Sequence, residues 1–299
     1  MNDIKFIWLN GDIVPYEKSG VSILSHSLHY GSAVFEGIRC YKTEDGPAIF
    51  RLKDHIGRLF NSSSVVGMDI PYSREDIISA VIEVVKHNEL KECYIRPIIF
   101  YGDKMGLLPT DASLHFAIIA WEWDKYFKKE SVSVRVSSFK RIHPDSAVLS
   151  AKVSGHYSNS IMASLEARAS GYDEALFLDH EGCIAEGPGE NIFFIKDDVF
   201  HTPREGKIFP GITRDSIIFI INNMGFKVEE TDIKPEDIEG YDEAFFVGTA
   251  TEVNSISKID GHIFGEGGEG PKTEKVRDAY KATVSGRLPA YKHWLDFVK

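Results

Sequence analysis

The stretch Ser150-Ala151-Lys152-Val153-Ser154-Gly155-His156-Tyr157 places one lysine among small and apolar residues, with a glycine and a tyrosine close behind it. No Asp, Glu, Lys or Arg lies within six positions of Lys152 on either side. Such surroundings predict a desolvated lysine, and desolvation favours the neutral amine, the nucleophilic form needed for a Schiff base. The alternative is a lysine at a helix start whose stem packs and whose ammonium reaches water. This window alone leaves both interpretations open.

Length and composition limit the possible functions. A chain of 299 residues suits two domains or one large one, and its 43% hydrophobic content allows sizeable cores. The formal net charge of −11 argues against a general binder of nucleic acid or anionic membranes, which needs a basic face. Cys40, Cys93 and Cys183 form no CxxC pair, which favours a reducing, cytoplasmic setting. We expect neither a signal peptide nor a membrane span, because neither pattern is present.

The pattern of residues 1–125 predicts an α+β domain. Asn10-Gly11 between two apolar runs predicts a hairpin over residues 4–15. Apolar residues at helical spacing predict two helices, the second capped by Ser73. These two helices span 53–66 and 74–87, and the other predicted elements are a strand over 35–41 that carries a glycine and strands over 94–101 and 114–123.

Residues 126–131 are interpreted as an interdomain linker, since this region is charged and lacks a clear period. Short strands separated by turns predict a larger, barrel-like domain over 132–299, which carries Lys152. Its predicted strands are 132–136, 175–178, 183–185, 191–195, 199–201, 226–229, 244–248 and 252–259, and its predicted helices are 154–170, 213–224 and 273–285. Thr213 is the expected N-cap of the middle helix. The predicted fold class is therefore α/β, more specifically α+β, with two domains.

Gly187-Pro188-Gly189 lies between two carboxylates, Glu186 and Glu190. One interpretation is a plain turn between strands, which these glycines and the proline can fix by themselves. The other is a backbone that passes close to a flat ligand. In that case Glu186 would face a pyridine nitrogen, keep it protonated and make the ring an electron sink.

Two further segments could bind an anion. Pro210–Asp215 precedes an apolar helix, where backbone N–H groups and a threonine hydroxyl form an anion site or only a helix cap. Gly248–Thr251 follows an apolar strand and is either a further donor turn or a polar loop. Arg58 could add charge to a phosphate or form a surface salt bridge. Tyr94 and Arg96 share one face of a strand, which favours a role in a site.

Two other patterns do not predict binding sites. His26 and His29 lack accompanying ligands at metal-site spacing, so no metal is expected. The run Gly265–Gly270 lacks the Lys-Ser/Thr of a phosphate-binding loop, and its two glutamates would repel phosphate. A flexible acidic turn is the expected structure there.

Taken together, these segments resemble the class IV aminotransferases, pyridoxal-phosphate enzymes of fold type IV, and within them the branched-chain amino acid aminotransferases. The resemblance covers nearly the whole chain and depends on the order and spacing of its motifs. They are Ser25–Gly31, Val34–Arg39, Tyr94–Pro97, Ala151-Lys152, Glu186–Asn191, Pro210–Arg214 and Gly248–Ala250.

The resemblance implies roles for individual residues. Lys152 would link to the cofactor and then move a proton at the substrate. Glu186 would pair with the ring nitrogen, and Tyr157 with the phenolic oxygen. The residues expected to bind the phosphate are Arg58, Ile212 through its backbone N–H, Thr213 and Thr249. The residues expected to line the side-chain pocket are Phe35, Gly37, Tyr94, Trp123 and Tyr126.

The resemblance also implies a transamination from branched-chain amino acids to 2-oxoglutarate. Thr249 and Ala250 would offer backbone donors to the substrate carboxylate. The second carboxylate of 2-oxoglutarate needs a cation or hydroxyls in the same pocket, and our hypothesis is that Tyr30, Tyr94 and Arg96 together supply them. Tyr30 and a residue near Leu107 would reach the neighbouring subunit's site, which implies a homodimer at least.

His156 stands where the family usually has asparagine, so the detail of that loop, and with it the pH profile, is open. The loop over 103–110 also departs from the common form, which leaves the substrate range open. Rival readings are a D-amino acid or (R)-amine aminotransferase of this fold, a lyase of the aminodeoxychorismate type, and a non-catalytic ligand-binding relative.

Overall fold

A computed structural model describes residues 4–123 and 126–299, which form two compact units. The first unit contains the described part of residues 1–124, together with Ala151–His156 and Thr283–Lys299. The second contains the described part of residues 125–150, together with Tyr157–Ala282. Each unit has its own sheet and its own apolar core. In the described ranges, no helix is long and apolar enough to cross a membrane.

The first unit is built on an antiparallel sheet with helices against it. Its strands are β1 (Phe6–Leu9), β2 (Asp12–Pro15), β3 (Val34–Phe35), β4 (Ile38–Thr43), β5 (Gly46–Phe50), β6 (Cys93–Tyr101) and β7 (Leu114–Trp121). Its helices are α1 (His26–Tyr30), α2 (Leu52–Val65) and α3 (Arg74–His87). The strands lie in the order β5-β4-β6-β7-β1-β2, and β3 pairs with β6. The apolar faces of α2 and α3 fill the core with the sheet.

Local signals explain most of this unit. The predicted hairpin is confirmed, and its turn residues Asn10 and Gly11 have φ of 51° and 111°. The predicted cap of α3 is also confirmed. Ser73 Oγ accepts from Asp76 N at 3.1 Å, and the Asp76 carboxylate accepts from Ser73 N at 2.9 Å.

The single strand predicted over 35–41 is wrong in one respect, because Glu36 and Gly37 interrupt it between β3 and β4. The cause is Pro97 on β6, which lies opposite Glu36 in the register that β6 shares with β3 and β4. Glu36 N donates to the Pro97 carbonyl oxygen at 2.9 Å, but proline has no N–H to return the hydrogen bond, so the ladder is incomplete there.

The second unit is built on a mixed sheet. Its strands are β8 (Ser131–Lys140), β9 (Glu174–Leu178), β10 (Asn191–Lys196), β11 (Val199–Pro203), β12 (Lys227–Thr231), β13 (Glu243–Gly248), β14 (Glu252–Ile259) and β15 (His262–Ile263). They lie in the order β12-β11-β10-β13-β14-β8-β9, with β15 beside β14. The helices that lie between and after these strands are α4 (Tyr157–Ala169), α5 (Ile212–Asn223) and α6 (Pro271–Val284). The core between the strands is rich in phenylalanine and isoleucine.

Two predictions for the second unit are wrong. The strand predicted over 183–185 is only an isolated bridge between Ile184 and Leu178, because Asp179 closes a tight turn by accepting from Cys183 N at 2.9 Å. Thr213 is not the N-cap of α5, which begins one residue earlier with Gly211 as its cap.

The compact units also differ from the predicted domains, since Lys152 belongs to the first unit. The reason is that the backbone around Lys152 forms hydrogen bonds with the backbone around Phe35. Phe35 N donates to the Lys152 carbonyl oxygen at 3.1 Å, and Ser154 N donates to that of Ala33 at 2.7 Å. The C-terminal strand β16 (Leu295–Phe297) returns to the same unit and pairs with β5.

Candidate active site

Lys152 is held in the first unit by its own backbone. Its N–H donates to Ser62 Oγ on α2 at 2.9 Å, and its carbonyl oxygen accepts from Phe35 N. The side chain is half-buried, and Nζ lies 5.1 Å from the centroid of the Phe35 ring. The amine therefore lies beside an aromatic face, in keeping with the uncharged sequence around it.

Helix α2 also carries Arg58, whose guanidinium is fixed by a buried carboxylate. Its Nε and Nη2 donate to the two oxygens of Glu36 at 2.6 and 2.8 Å, and His55 Nδ1 lies 2.8 Å from Glu36 Oε2. Burial by itself raises the pKa of Glu36. The charge and hydrogen bonds of Arg58, with those of His55, outweigh burial and hold that pKa well below its usual range.

Four predicted pocket residues come together around Tyr94. Arg96 Nη2 donates to the Tyr94 hydroxyl at 3.0 Å, and its guanidinium carbon lies 4.5 Å from the Phe35 ring centroid. The rings of Tyr94 and Trp123 have centroids 4.7 Å apart. A Cβ at Gly37 would lie 1.9 Å from the Tyr94 hydroxyl, so only glycine leaves room for that ring. The result is an aromatic wall with the Arg96 guanidinium over it.

In the second unit, the segment Glu186–Asn191, here called the Glu186 loop, directs a buried carboxylate at several donors. Glu186 is 4% exposed, and Arg141 Nε lies 2.6 Å from its Oε1. Phe209 N lies 3.0 Å from both carboxylate oxygens, and Asn191 Nδ2 lies 3.1 Å from Oε2. A carboxylate fixed in this way fits the partner of a protonated ring nitrogen.

Asn191 connects the Glu186 loop to the start of α5. Its Nδ2 also donates to the Phe209 carbonyl oxygen at 3.0 Å, and a Cβ at Gly211 would lie 2.1 Å from its Oδ1. Because Gly211 offers no side-chain cap, the first turn of α5, with Ile212 and Thr213, can present backbone N–H groups to an anion. This donor set fits a phosphate.

The turn between β13 and β14 lies against the same loop. Thr251 Oγ1 donates to Glu190 Oε1 at 3.2 Å, and a Cβ at Gly248 would lie 3.3 Å from the Gly189 carbonyl oxygen. Thr249 and Ala250, at the tip of this turn, are half-buried. The second unit thus brings together the Glu186 loop, the start of α5 and this turn.

The remaining predicted residues are at least partly exposed to solvent. Tyr157 is the first residue of α4 and is half-buried. Tyr126 is 44% exposed, and its ring centroid lies 4.8 Å from that of Phe127. In the first unit, Tyr30 and Leu107 are 40% and 81% exposed.

The sequence interpretation assigned no role to several polar groups of these clusters. They are Glu36, His55 and Ser62 in the first unit and Arg141 and Asn191 in the second. A signal existed for His55, which precedes Arg58 by three positions and so lies on the same face of a helix. None existed for Arg141, which lies 45 positions before its partner Glu186.

A family model described as amino-transferase class IV matches residues 33–259. The chain belongs to the class IV aminotransferases. This class IV aminotransferase is 45% identical to the branched-chain-amino-acid aminotransferase of Pseudomonas aeruginosa over 298 residues, which cover 98% of this chain and 97% of the relative. It is 38% identical to that of Escherichia coli strain K12 over 300 residues, with 98% and 97% covered.

Solved structures agree with this membership of the class IV aminotransferases. The branched-chain amino acid aminotransferase of Escherichia coli aligns with a TM-score of 0.96 and 38% identity, and 99% of this chain and 100% of that chain are covered. A second branched-chain amino acid aminotransferase, complexed with N-(5'-phosphopyridoxyl)-L-glutamate, aligns with a TM-score of 0.95 and 42% identity, and 99% of each chain is covered. That second enzyme has also been solved with pyridoxamine 5'-phosphate and with 4-methylvaleric acid. The predicted two-domain α+β fold of type IV is confirmed.

Proposed function

We propose that this chain is a branched-chain-amino-acid transaminase that uses pyridoxal phosphate. It moves the amino group of L-leucine, L-isoleucine or L-valine to 2-oxoglutarate in a ping-pong reaction, which yields branched 2-oxo acids and L-glutamate. The names of its near full-length relatives support this activity, and so do the phosphopyridoxyl and pyridoxamine complexes of a structural neighbour.

The observation that carries the proposal is the cluster around Tyr94. A branched aliphatic side chain needs an apolar wall, which Phe35, Tyr94 and Trp123 supply. The second carboxylate of 2-oxoglutarate needs donors in the same pocket. Among the described residues, Arg96 Nε and Trp123 Nε1 are buried and have no hydrogen-bond partner. Unpaired buried donors of this kind support a site that admits an anionic group.

The polar residues of each unit would serve the cofactor and the proton transfer. Pyridoxal phosphate, when bound, supplies a ring that withdraws electrons from the substrate's Cα. Lys152 would bind it covalently, and its released amine would take the proton from Cα. Glu186 would hold the proton on the ring nitrogen, and Tyr157 would donate to the phenolic oxygen.

Backbone donors and three side chains would bind the anionic groups. The Ile212 N–H, with the hydroxyls of Thr213 and Thr249, would bind the phosphate, and Arg58 would add charge. Thr249 and Ala250 would donate backbone N–H groups to the substrate carboxylate. Glu36 fixes the plane of the Arg58 guanidinium, so little side-chain entropy would be lost on binding.

We further propose a homodimer in which Tyr30 and Leu107 reach the partner's site. An exposed apolar surface of the first unit supports this assembly. It includes Ile23, Leu28 and Leu107, which are 74%, 61% and 81% exposed. Gly106 N donates to the Tyr30 hydroxyl at 3.2 Å, so Tyr30 and the loop that carries Leu107 lie together.

A cytoplasmic location is part of the same proposal. The three cysteines are free thiols, as a reducing compartment requires, and all three are buried. With a net charge of −11, the expected partners are small amino acids and 2-oxo acids, not nucleic acid or anionic membranes.

A half-reaction screen tests the function. The chain is reconstituted with pyridoxal phosphate, and the absorbance band of the bound cofactor is followed after addition of L-leucine, D-alanine or an (R)-amine. We expect the band to be lost with L-leucine and to return with 2-oxoglutarate. Absence of this absorbance band would refute the assignment as a pyridoxal-phosphate enzyme. A response to D-alanine or to the (R)-amine alone would move the chain to the corresponding aminotransferase of this fold.

A further inference from the structure

The Glu186 loop contains a second buried carboxyl, that of Glu190, which is 4% exposed. Its Oε2 accepts from Gly189 N at 3.0 Å, and its Oε1 accepts from Thr251 Oγ1 at 3.2 Å. The Glu190 carbonyl oxygen accepts from Gly187 N at 2.8 Å, which closes the loop. One side chain therefore joins the loop to the turn between β13 and β14.

Close packing leaves this carboxyl little freedom to move. A Cβ at Gly187 would lie 2.8 Å from Glu190 Oε2 and 3.0 Å from Cε1 of Phe246. The two sides of the junction also approach closely, since a Cβ at Gly248 would lie 3.3 Å from the Gly189 carbonyl oxygen. An ionised Glu190 could reach water only if the loop or the turn moved.

The charges that act on Glu190 disfavour its ionised form. Glu174, on β9, is also 4% exposed, and its Oε1 accepts from Ser164 Oγ and Ala175 N, both at 2.9 Å. Burial, and next the charge of Glu174, raise the pKa of Glu190 to about 8, and Glu186 adds to this.

The cations and donors nearby do not restore a normal pKa to Glu190. Arg141 forms an ion pair with Glu186, and the charge of Arg168 lowers the pKa of Glu174 rather than that of Glu190. The hydrogen bonds from Gly189 and Thr251 lower the pKa of Glu190 but are outweighed by burial. The pKa of Glu174 is also raised, chiefly by burial, so both carboxyls favour a proton.

We propose that Glu190 is a positioning residue that acts as a neutral carboxylic acid, holding the Glu186 loop and the Thr249-Ala250 turn in register. This inference rests on the proposed roles of Glu186, Thr249 and Ala250. In the neutral state, Glu190 adds no charge next to Glu186, and its O–H can donate to Thr251 Oγ1, 3.2 Å from Oε1. When it ionises, the added charge beside Glu174 and Glu186 drives the junction apart, and cofactor and substrate carboxylate bind less tightly.

The sign of the pH effect follows from the raised pKa. The unfolded chain releases the Glu190 proton near pH 4.5, the usual value, and the folded chain releases it near pH 8. Stability of the wild type therefore falls between these two values relative to a variant with a permanently neutral side chain. Above the folded pKa the difference becomes constant.

The first test compares the wild type with Glu190→Gln in the full-length chain, without cofactor, by thermal unfolding from pH 5 to pH 9. We expect the unfolding temperature of the variant to rise relative to the wild type between pH 5 and pH 8 and then to level. The same comparison is made in a Glu174→Gln background, which removes the neighbouring charge. There the rise caused by Glu190→Gln should end at lower pH. A difference independent of pH, or one of opposite sign, overturns the neutral acid.

The second test measures pyridoxal phosphate binding by equilibrium dialysis. The ratio of the dissociation constants, wild type over Glu190→Gln, should rise about tenfold between pH 7 and pH 9, as expected if only the neutral acid binds well. Glu190→Ala, which lacks both acceptors, should bind weakly at every pH. A constant ratio overturns the positioning role even if the unfolding data show a neutral acid.

The two tests separate this inference from the proposed function. Unfolding of the cofactor-free chain reports on Glu190 whether or not the enzyme transaminates. A failed half-reaction with L-leucine leaves that result intact, and a working half-reaction does not rescue a pH-independent unfolding difference.

Discussion

Arg141 Nε lies 2.6 Å from Glu186 Oε1, and the two side chains are 10% and 5% exposed. A buried ion pair contributes little net stability as a whole, but removal of one partner leaves an uncompensated charge. We therefore expect Arg141→Leu to lower the free energy of unfolding by about 3 kcal/mol. Urea titration of the cofactor-free chain measures this, and Arg141→Lys should recover only part of the loss, because lysine lacks the planar fork.

The double variant Arg141→Leu/Glu186→Gln should be more stable than Arg141→Leu alone, because the unpaired charge is gone. Arg204, paired with Asp232 at 3.6 Å and 59% exposed, is the matched control. Arg204→Leu should change stability by less than about 1 kcal/mol. Equal losses of stability in Arg141→Leu and Arg204→Leu would show that the buried pair with Glu186 matters no more for stability than an exposed pair.

Arg96 lies over the Phe35 ring and bonds the Tyr94 hydroxyl, so its loss should affect the two substrates differently. For Arg96→Leu, we expect kcat/KM for 2-oxoglutarate to fall about a hundredfold, as for a lost charged hydrogen bond of about 3 kcal/mol. L-Leucine brings no second carboxylate, so its kcat/KM should fall far less. Steady-state kinetics with each substrate varied in turn measures both values.

The control for this experiment is Arg74→Leu, which removes an exposed arginine that lies over the Phe60 ring at 5.5 Å. Its kinetics should match the wild type for both substrates. Equal losses for 2-oxoglutarate and L-leucine in Arg96→Leu would contradict a carboxylate-binding role and point to collapse of the pocket.

Gly37 makes room for the Tyr94 hydroxyl, since a Cβ there would lie 1.9 Å from it. Gly37→Ala should therefore displace the Tyr94 ring and raise the KM of L-leucine, L-isoleucine and L-valine together. The matched control is Gly57→Ala in α2, where a Cβ meets nothing within 4 Å. That change should stabilise the chain by about 0.5 kcal/mol and leave the KM values unchanged. Similar kinetics in both variants would rule out the steric role of Gly37.

Local signals in the sequence predicted the elements more reliably than the units. The hairpin at Asn10-Gly11 and the cap at Ser73 depend on residues a few positions apart, so their structure follows from nearby side chains. The interruption at Glu36 could not be predicted in this way. It depends on Pro97, which lies opposite Glu36 on another strand and has no N–H to donate.

The same limit applies to the candidate site. The motifs around Lys152 and Glu186 are compact in sequence and could be found one by one. The groups that fix them are distant, since Ser62 lies 90 positions before Lys152 and Arg141 lies 45 before Glu186. The pairing of the Lys152 backbone with residues near Phe35 could not be predicted for the same reason.

The buried group of Glu36, His55 and Arg58 makes a prediction about acid stability. The pKa of Glu36 lies well below its usual 4.5, because Arg58 and His55 outweigh burial. Burial chiefly lowers the pKa of His55, so its ring stays neutral near pH 7 and can donate Nδ1–H to Glu36. With a depressed folded pKa, the contribution of Glu36 is fully present above about pH 4.5 and is lost as pH falls toward the folded value.

Glu36→Gln should therefore lower the free energy of unfolding by about 3 kcal/mol at pH 7, because Arg58 loses a buried carboxylate partner. The deficit should shrink below pH 4.5, where the wild type gradually loses the same contribution. Glu83→Gln, an exposed change on α3, should stay within about 0.5 kcal/mol of the wild type at every pH. Urea unfolding from pH 3 to pH 7 measures all three chains. A deficit that stays constant across this range would mean that Glu36 acts by shape and hydrogen bonding alone, without the charge that orients Arg58.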